Sequence, residues 1–206
     1  MKKVTLDTNI LIDLEEKRKG YKTILKIIEL HNKKKLKINI PAIIASEKLL
    51  EDKHITNFHQ FKDYLKTLGF KDVELTLPIF YVGMCYVNFC VVPGEDEIKL
   101  DHDIHKILFP NIESEYREFC ANRKFNPETI HPKWRRTKVD VQILWCHIFY
   151  KKDVLVTRDK NFKRHIDELS SIAKLVIMKP EEFLSTQQSN QENCNQIELD
   201  NGICRT

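Results

Sequence analysis

Glycine is scarce in this chain. It occurs five times in 206 residues, and nowhere in a Gly-rich phosphate loop or a dinucleotide fingerprint. That argues against nucleotide hydrolysis on a Walker-type loop and against a Rossmann cofactor site. Six cysteines are present (Cys85, Cys90, Cys120, Cys146, Cys194, Cys204), but none forms a Cys-x-x-Cys pair. In a chain of this length they read as reduced intracellular thiols, not as a disulfide frame. No apolar run is long. The most apolar stretch, Ile79 to Val92, falls short of the about 20 residues that span a bilayer. No apolar segment follows the opening Met-Lys-Lys-Val, so a signal peptide and a membrane span are both unexpected, and a cytoplasmic location is expected. Neither sign of charge dominates, the balance being +4. The first Asp, Asp7, is not followed two residues on by a second. Asn9 stands there, which argues against a phosphatase built on a nucleophilic Asp.

What is present is an ordinary globular composition, 42% hydrophobic and 31% charged, enough for one sizeable domain or a domain with a large insertion. Val4-Thr5-Leu6 reads as a first strand, with a helix from about Thr8 and another from Tyr21 to His31. Leu36, Ile38 and Ile40 alternate as a second strand that Pro41 ends. A short helix follows with Ile43, Ile44, Glu47 and Leu50, then one with Ile55, Phe58, Phe61, Leu65 and Leu68 on one side. Val139 to Lys151 reads as helix, Val154 to Thr157 as a buried strand, Lys160 to Leu169 as helix and Leu175 to Met178 as a last strand. Pro180 then opens a last helix. Strands alternating with helices predict a three-layer α/β/α sandwich around a mostly parallel sheet. The domain is expected over residues 1–184, with an insertion at about 73–132 that does not follow the rhythm. A Gln-, Asn- and Ser-rich tail over 185–206 has the composition of a disordered segment.

Four acids carry the chemical content. Asp7 ends the first strand and Asp159 ends the strand that begins at Val154, so both can share one sheet edge. Open α/β sheets bind ligands at that edge. Asp140 shares a helical stripe with Ile143, Leu144, His147 and Ile148, and Glu47 shares one with Ile43, Ile44 and Leu50. Each has a simpler explanation. Asp7 and Asp159 can cap helices or make turns, and Thr137 to Asp140 fits a helix start. Taken together, inward carboxylates with no Arg or Lys on the same stripes are costly unless something positive joins them. A hard divalent cation removes the repulsion, because Mg²⁺ and Mn²⁺ take oxygen ligands.

LDTN near the start, a Glu in the helix after the second strand, KVDVQIL, and LVTRDKNF some 19 residues further on resemble the PIN-domain nucleases. The resemblance covers roughly residues 1–65 and 135–184. It implies a metal-dependent endoribonuclease in which Asp7, Glu47, Asp140 and Asp159 bind Mg²⁺ or Mn²⁺, with Glu51 the nearest substitute for Glu47. It also implies that Asn9 orients Asp7 and that Thr157 supplies a hydroxyl just before the last acid. A toxin of a toxin–antitoxin pair is one form such a nuclease takes, although those are usually compact. The alternative is a non-catalytic PIN-fold module that only holds RNA or a protein.

Charge is unevenly spread. Residues 95–118 carry eight acids against three bases, and residues 131–164 carry ten bases against three acids. A basic stretch of that kind suits a polyanion, with a solvated surface the simpler explanation, and the resemblance implies that the polyanion is a single-stranded RNA. Arg135 and Arg136 beside Trp134 could hold a strand by charge and stacking, and Arg158, Lys160 and Lys163 lie next to the last acid. The acidic insertion is expected to shield the site. Asp101, His102, Asp103 and His105 could form a second metal site, though a helix start rich in acids explains them more simply. His147, on its apolar stripe, is expected to be a satisfied core histidine. A homodimer through the apolar stretch and a protein regulator are the further partners considered.

Overall fold

The computed structural model describes residues 1–46, 58–85 and 88–189. Five strands form one sheet: β1 (Lys2–Leu6), β2 (Leu36–Pro41), β3 (Glu74–Thr76), β4 (Val154–Val156) and β5 (Ile177–Met178). Their order is β3-β2-β1-β4-β5, and every pairing is parallel. The helices are α1 (Thr8–Glu15), α2 (Tyr21–Asn32), α3 (Phe58–Thr67), α4 (Glu95–Leu108), α5 (Tyr116–Arg123), α6 (Pro132–Phe149), α7 (Lys160–Arg164), α8 (Ile166–Leu169) and α9 (180–189). Helices on both faces of the sheet make the expected three-layer α/β/α sandwich.

Hydrophobic burial explains the layers. β1 and β4 lie inside the sheet, covered on both faces, and Val4, Leu6, Leu155 and Val156 are wholly buried. On one face α1 packs on α2, and α3 reaches α1 through the Tyr64 hydroxyl, which donates to Glu15 at 2.9 Å. On the other, α4 packs on α6 and on α8. Among the described residues no helix is long and apolar enough to cross a membrane.

Several boundaries differ from the sequence reading. β3 lies inside the expected insertion and extends the sheet, pairing with β2 at Ile40↔Leu75. Its three residues, Glu74 and Leu75 half-exposed and Thr76 buried, carry too little alternation to stand out. α6 begins at Pro132 rather than Val139. His131 caps it by accepting from the Lys133 N–H, and Pro132 fills the first turn. Asp140 therefore sits mid-helix, and Thr137 is no cap: its hydroxyl donates back to the Lys133 carbonyl at 3.0 Å. Trp134, Arg135 and Arg136 are part of this helix. After β2 the chain makes a 3₁₀ turn (Ala42–Ser46) with all five residues buried. Glu47, Leu50, Glu51 and Ile55 lie outside the described residues. The segment read as one helix after β4 is two, α7 and α8. α9 runs five residues into the expected tail, and the rest of that tail lies outside the described residues.

The acidic segment is packed into the fold as a structural layer. α4 sends Ile104 and Leu108 into the core, and its Asp101 is 1% exposed. Asp101 accepts from Lys138 Nζ and from Gln142 Nε2, both at 2.5 Å, and from the Tyr81 hydroxyl at 2.8 Å. Lys138 is itself fully buried. Gln142 Oε1 completes the network by accepting from the Ile79 N–H at 2.8 Å. Burial, with the Asp101 carboxylate close by, pushes the Tyr81 phenol above its ordinary pKa. A charged pair this deep is tolerable because the carboxylate accepts three hydrogen bonds, one of them from the ammonium group beside it.

Candidate functional site

The sheet winds outward from β1 in both directions, through β2 to β3 on one side and through β4 to β5 on the other. β1 and β4 therefore flank the topological switch point, the place where such sheets leave an open crevice beyond the strands' carboxyl ends. Asp7 directly follows β1, and Thr157, Arg158 and Asp159 directly follow β4. The register Leu6↔Val156 sets both ends level, and the Asp7 N–H donates to the Val156 carbonyl at 3.2 Å.

Thr157 ties these ends together. Its hydroxyl donates to Asp7 Oδ2 at 2.5 Å, and accepts from the Asp159 N–H at 2.9 Å and from Asn9 Nδ2 at 3.1 Å. One donor and two acceptors are all a hydroxyl has. Asn9 Nδ2 also donates to Asp7 Oδ2, and Asn9 Oδ1 accepts from the Arg158 N–H at 3.1 Å. That last bond fixes which way the amide faces, so Asn9 presents its NH₂ to the carboxylate. Asp7 is 3% exposed and Thr157 1%. Asp159 is half-buried, and its Oδ1 accepts from the Asn161 N–H at 2.7 Å as the cap of α7.

Asp140 approaches from α6. The short turn after α6 leads straight into β4, so the helix runs antiparallel to β1. His147 Nδ1 lies 3.0 Å from Thr5 Oγ1. Seven residues back along α6 is a rise of about 10 Å, while Thr5 to Asp7 climbs about 7 Å of strand. Asp140 therefore stands at the level of the carboxyl edge, half-buried. The fourth acid, Glu47, falls outside the described residues, one position beyond Ser46. The Ser46 carbonyl accepts from Arg135 Nη1 at 3.2 Å, which anchors the end of the 3₁₀ turn to α6.

The donors at this edge are carboxylate and hydroxyl oxygens, with no sulfur or imidazole among Asp7, Asp140, Thr157 and Asp159. That is the chemistry a hard cation takes. Among the described residues no group of three or more His, Cys, Asp and Glu side chains is spaced to hold a metal ion. The described acids match Mg²⁺ or Mn²⁺ in donor type alone.

The basic residues divide. Arg158 spends its guanidinium on the protein: Nε donates to Asp13 at 2.5 Å, and Nη1 and Nη2 donate to Glu181 at 3.1 and 2.7 Å. Its hydrogen bonds to Glu181 raise its pKa further. Gly20 leaves room for this clamp. Its φ is +90°, and a Cβ there would meet Arg158 Nη2 at 2.6 Å. Arg135 likewise gives its second Nη to the Gly83 carbonyl at 3.2 Å, and Lys163 pairs with Glu182. Arg136 and Lys160 are exposed. Trp134 is buried, its indole N–H on the Glu113 carbonyl at 3.0 Å.

The second metal cluster does not form. Asp101 faces Lys138, His105 Nε2 lies against the Ile112 carbonyl at 2.8 Å, and His102 pairs with Glu115 at the surface. His147 is 1% exposed with its Thr5 partner, and burial pushes it down to about 4.

Sequence reasoning missed the Lys138–Asp101 pair, whose partners lie on two separate helices. It also missed a cleft beside α6 that carries no local signature at all. No protein-family model matches the chain, and no curated protein matches it.

Proposed function

We propose that this protein is a divalent-metal-dependent endoribonuclease of the PIN-like kind, acting on single-stranded RNA at the edge formed by β1, β4 and α6. The observation that carries the reading is the Thr157 hydroxyl bridging Asp7 and Asp159 at the switch point. A lone cap at either strand end would need no such bridge.

Asp7, Asp140 and Asp159, with Glu47 from the segment after β2, would hold Mg²⁺ or Mn²⁺. When bound, such a cation supplies a water acidified enough to attack near neutral pH and offsets charge on the phosphate. The chain's own residues prepare the place. Thr157 and Asn9 both grip Asp7 Oδ2, which fixes the rotation of the carboxylate. The Asp159 backbone is pinned to the same hydroxyl, so two acids from different strands keep one spacing. Arg158 holds the loop between them by its clamp on Asp13 and Glu181. Arg136 and Lys160, exposed cations on α6 and at the start of α7, would meet phosphates.

The test is Mn²⁺-dependent cleavage of a mixed single-stranded RNA, wild type beside Asp7→Asn. Cleavage by the wild type that falls to background in the variant is the expected result. RNA binding that survives chelation, with no cleavage in either protein, would point to the binding module instead.

A further inference from the structure

A cleft of about 650 Å³ opens next to the amino-terminal end of α6, a size typical of small-molecule sites. Its walls come from three separate parts of the chain: the loop at Tyr81 and Gly83, Tyr116 and Arg117 of α5, and the turn at Glu128, with Trp134 of α6 behind. The rings form a connected set. Tyr116 and Trp134 have centroids 4.9 Å apart, and Tyr81 meets Trp134 edge-on at 6.0 Å.

We infer that this cleft seats an unpaired guanine nucleotide of the RNA strand, its base against the aromatic walls, its Watson–Crick edge on Glu128 and its phosphate toward Arg117. The polymer in this statement rests on the nuclease reading; the base pocket does not.

Three observations select this occupant. First, the wall is aromatic and mostly apolar, which favours a flat unsaturated ring; unstacked bases are held in this way by proteins that read single strands. A cationic side chain would also favour such rings. Here that position is taken: Lys138 Nζ already lies 4.8 Å from the Tyr81 ring centroid and 5.8 Å from that of Trp134. Second, Glu128 is an exposed carboxylate at the rim. A carboxylate has two acceptor oxygens side by side, and guanine alone among the four bases offers two adjacent N–H donors, N1–H and the 2-amino group, on its Watson–Crick edge. Third, the cleft and the candidate site share a helix, Trp134 and Asp140 both lying on α6. Trp134 precedes Asp140 by six residues of α6, about 9 Å along the axis. Arg135 ties the cleft to the segment after β2, holding the Gly83 carbonyl in the cleft and the Ser46 carbonyl at the end of the 3₁₀ turn.

The test is equilibrium binding of GMP, AMP, CMP and UMP to the full chain in EDTA, by calorimetry, with Mn²⁺-dependent RNA cleavage measured on the same preparations. GMP should bind on the order of tenfold tighter than the other three, the discrimination a two-point contact gives. Glu128→Gln should lower GMP affinity by a similar factor and flatten the preference. Arg117→Gln should erase the advantage of GMP over guanosine. Both residues are exposed, so each variant should fold. Equal affinity for the four nucleotides, no saturation by GMP, or a GMP preference untouched by Glu128→Gln overturns the inference, as does Glu128-dependent binding of an arginine-rich peptide in place of GMP. GMP binding without any cleavage would remove the nuclease reading and leave the cleft standing. Cleavage without GMP binding or guanine bias would remove the cleft alone.

Discussion

Thr157 Oγ1 donates to Asp7 Oδ2 at 2.5 Å, joining residues 150 positions apart in sequence. The same oxygen accepts from the Asp159 N–H and from Asn9, so one hydroxyl sets the geometry of both strand ends.

Replacing it should separate positioning from bulk. Thr157→Val keeps the shape and removes three hydrogen bonds. Stability should fall by about 1–3 kcal/mol, because buried polar partners are left without a mate. Mn²⁺ affinity should fall about 10- to 100-fold, the usual effect of losing an outer hydrogen bond on a metal ligand. Thr157→Ser should restore both. Urea unfolding and Mn²⁺ calorimetry read the two effects; unaltered Mn²⁺ affinity in Thr157→Val would remove the positioning role.

Buried Lys138 and Asp101 lead to a different prediction. Lys138→Met strands the Asp101 carboxylate in the core and should cost about 3–5 kcal/mol. Adding Asp101→Leu should recover much of that loss, since the uncompensated charge is gone. A double variant as unstable as the single one would mean that the network, not the charge, supports α4. By the same logic, deleting residues 95–118 should unfold the protein and not unmask a faster enzyme.

These pairs mark how far the sequence could be read. β1 and β4 are short apolar runs ending in Asp-containing turns, and local pattern was enough to place Asp7 and Asp159 on one edge. Asp140 was expected in the first turn of its helix and lies mid-helix, because Thr137 mimics a cap while His131 and Pro132 do the capping. β3 was invisible because three residues of an edge strand carry no periodicity. Asp101 looked like a first-turn acid. Its burial depends on Lys138, a long-range contact that no local window contains. The cleft is less legible still, since Tyr81, Tyr116, Glu128 and Trp134 become neighbours only after the chain has folded.

Arg135 and Arg136 are adjacent and should behave differently. Arg136 is exposed, while Arg135 is held by two backbone carbonyls. Arg136→Gln should weaken RNA binding and reduce the slope of log affinity against log salt by about 0.7, the share of one phosphate contact on a single strand. Arg135→Gln should leave that slope alone and lower the melting temperature. Salt titrations of both variants with one oligonucleotide decide it, and a slope change in Arg135→Gln would return that residue to the substrate.

His147 makes stability depend on pH. Burial holds its folded pKa at about 4, whereas an unfolded histidine titrates near 6.5. The unfolded chain therefore binds a proton first, so the stabilising effect is complete above about pH 6.5 and is lost as pH falls toward 4. Linkage gives a loss of about 2 kcal/mol between pH 7 and pH 5 from this group alone. His105, whose pKa burial also lowers, adds in the same direction. Urea unfolding at the two pH values measures the difference. His147→Gln, which can still meet the Thr5 hydroxyl, should be less stable at pH 7 yet lose less on acidification. Equal losses in wild type and variant would assign the pH dependence to other groups.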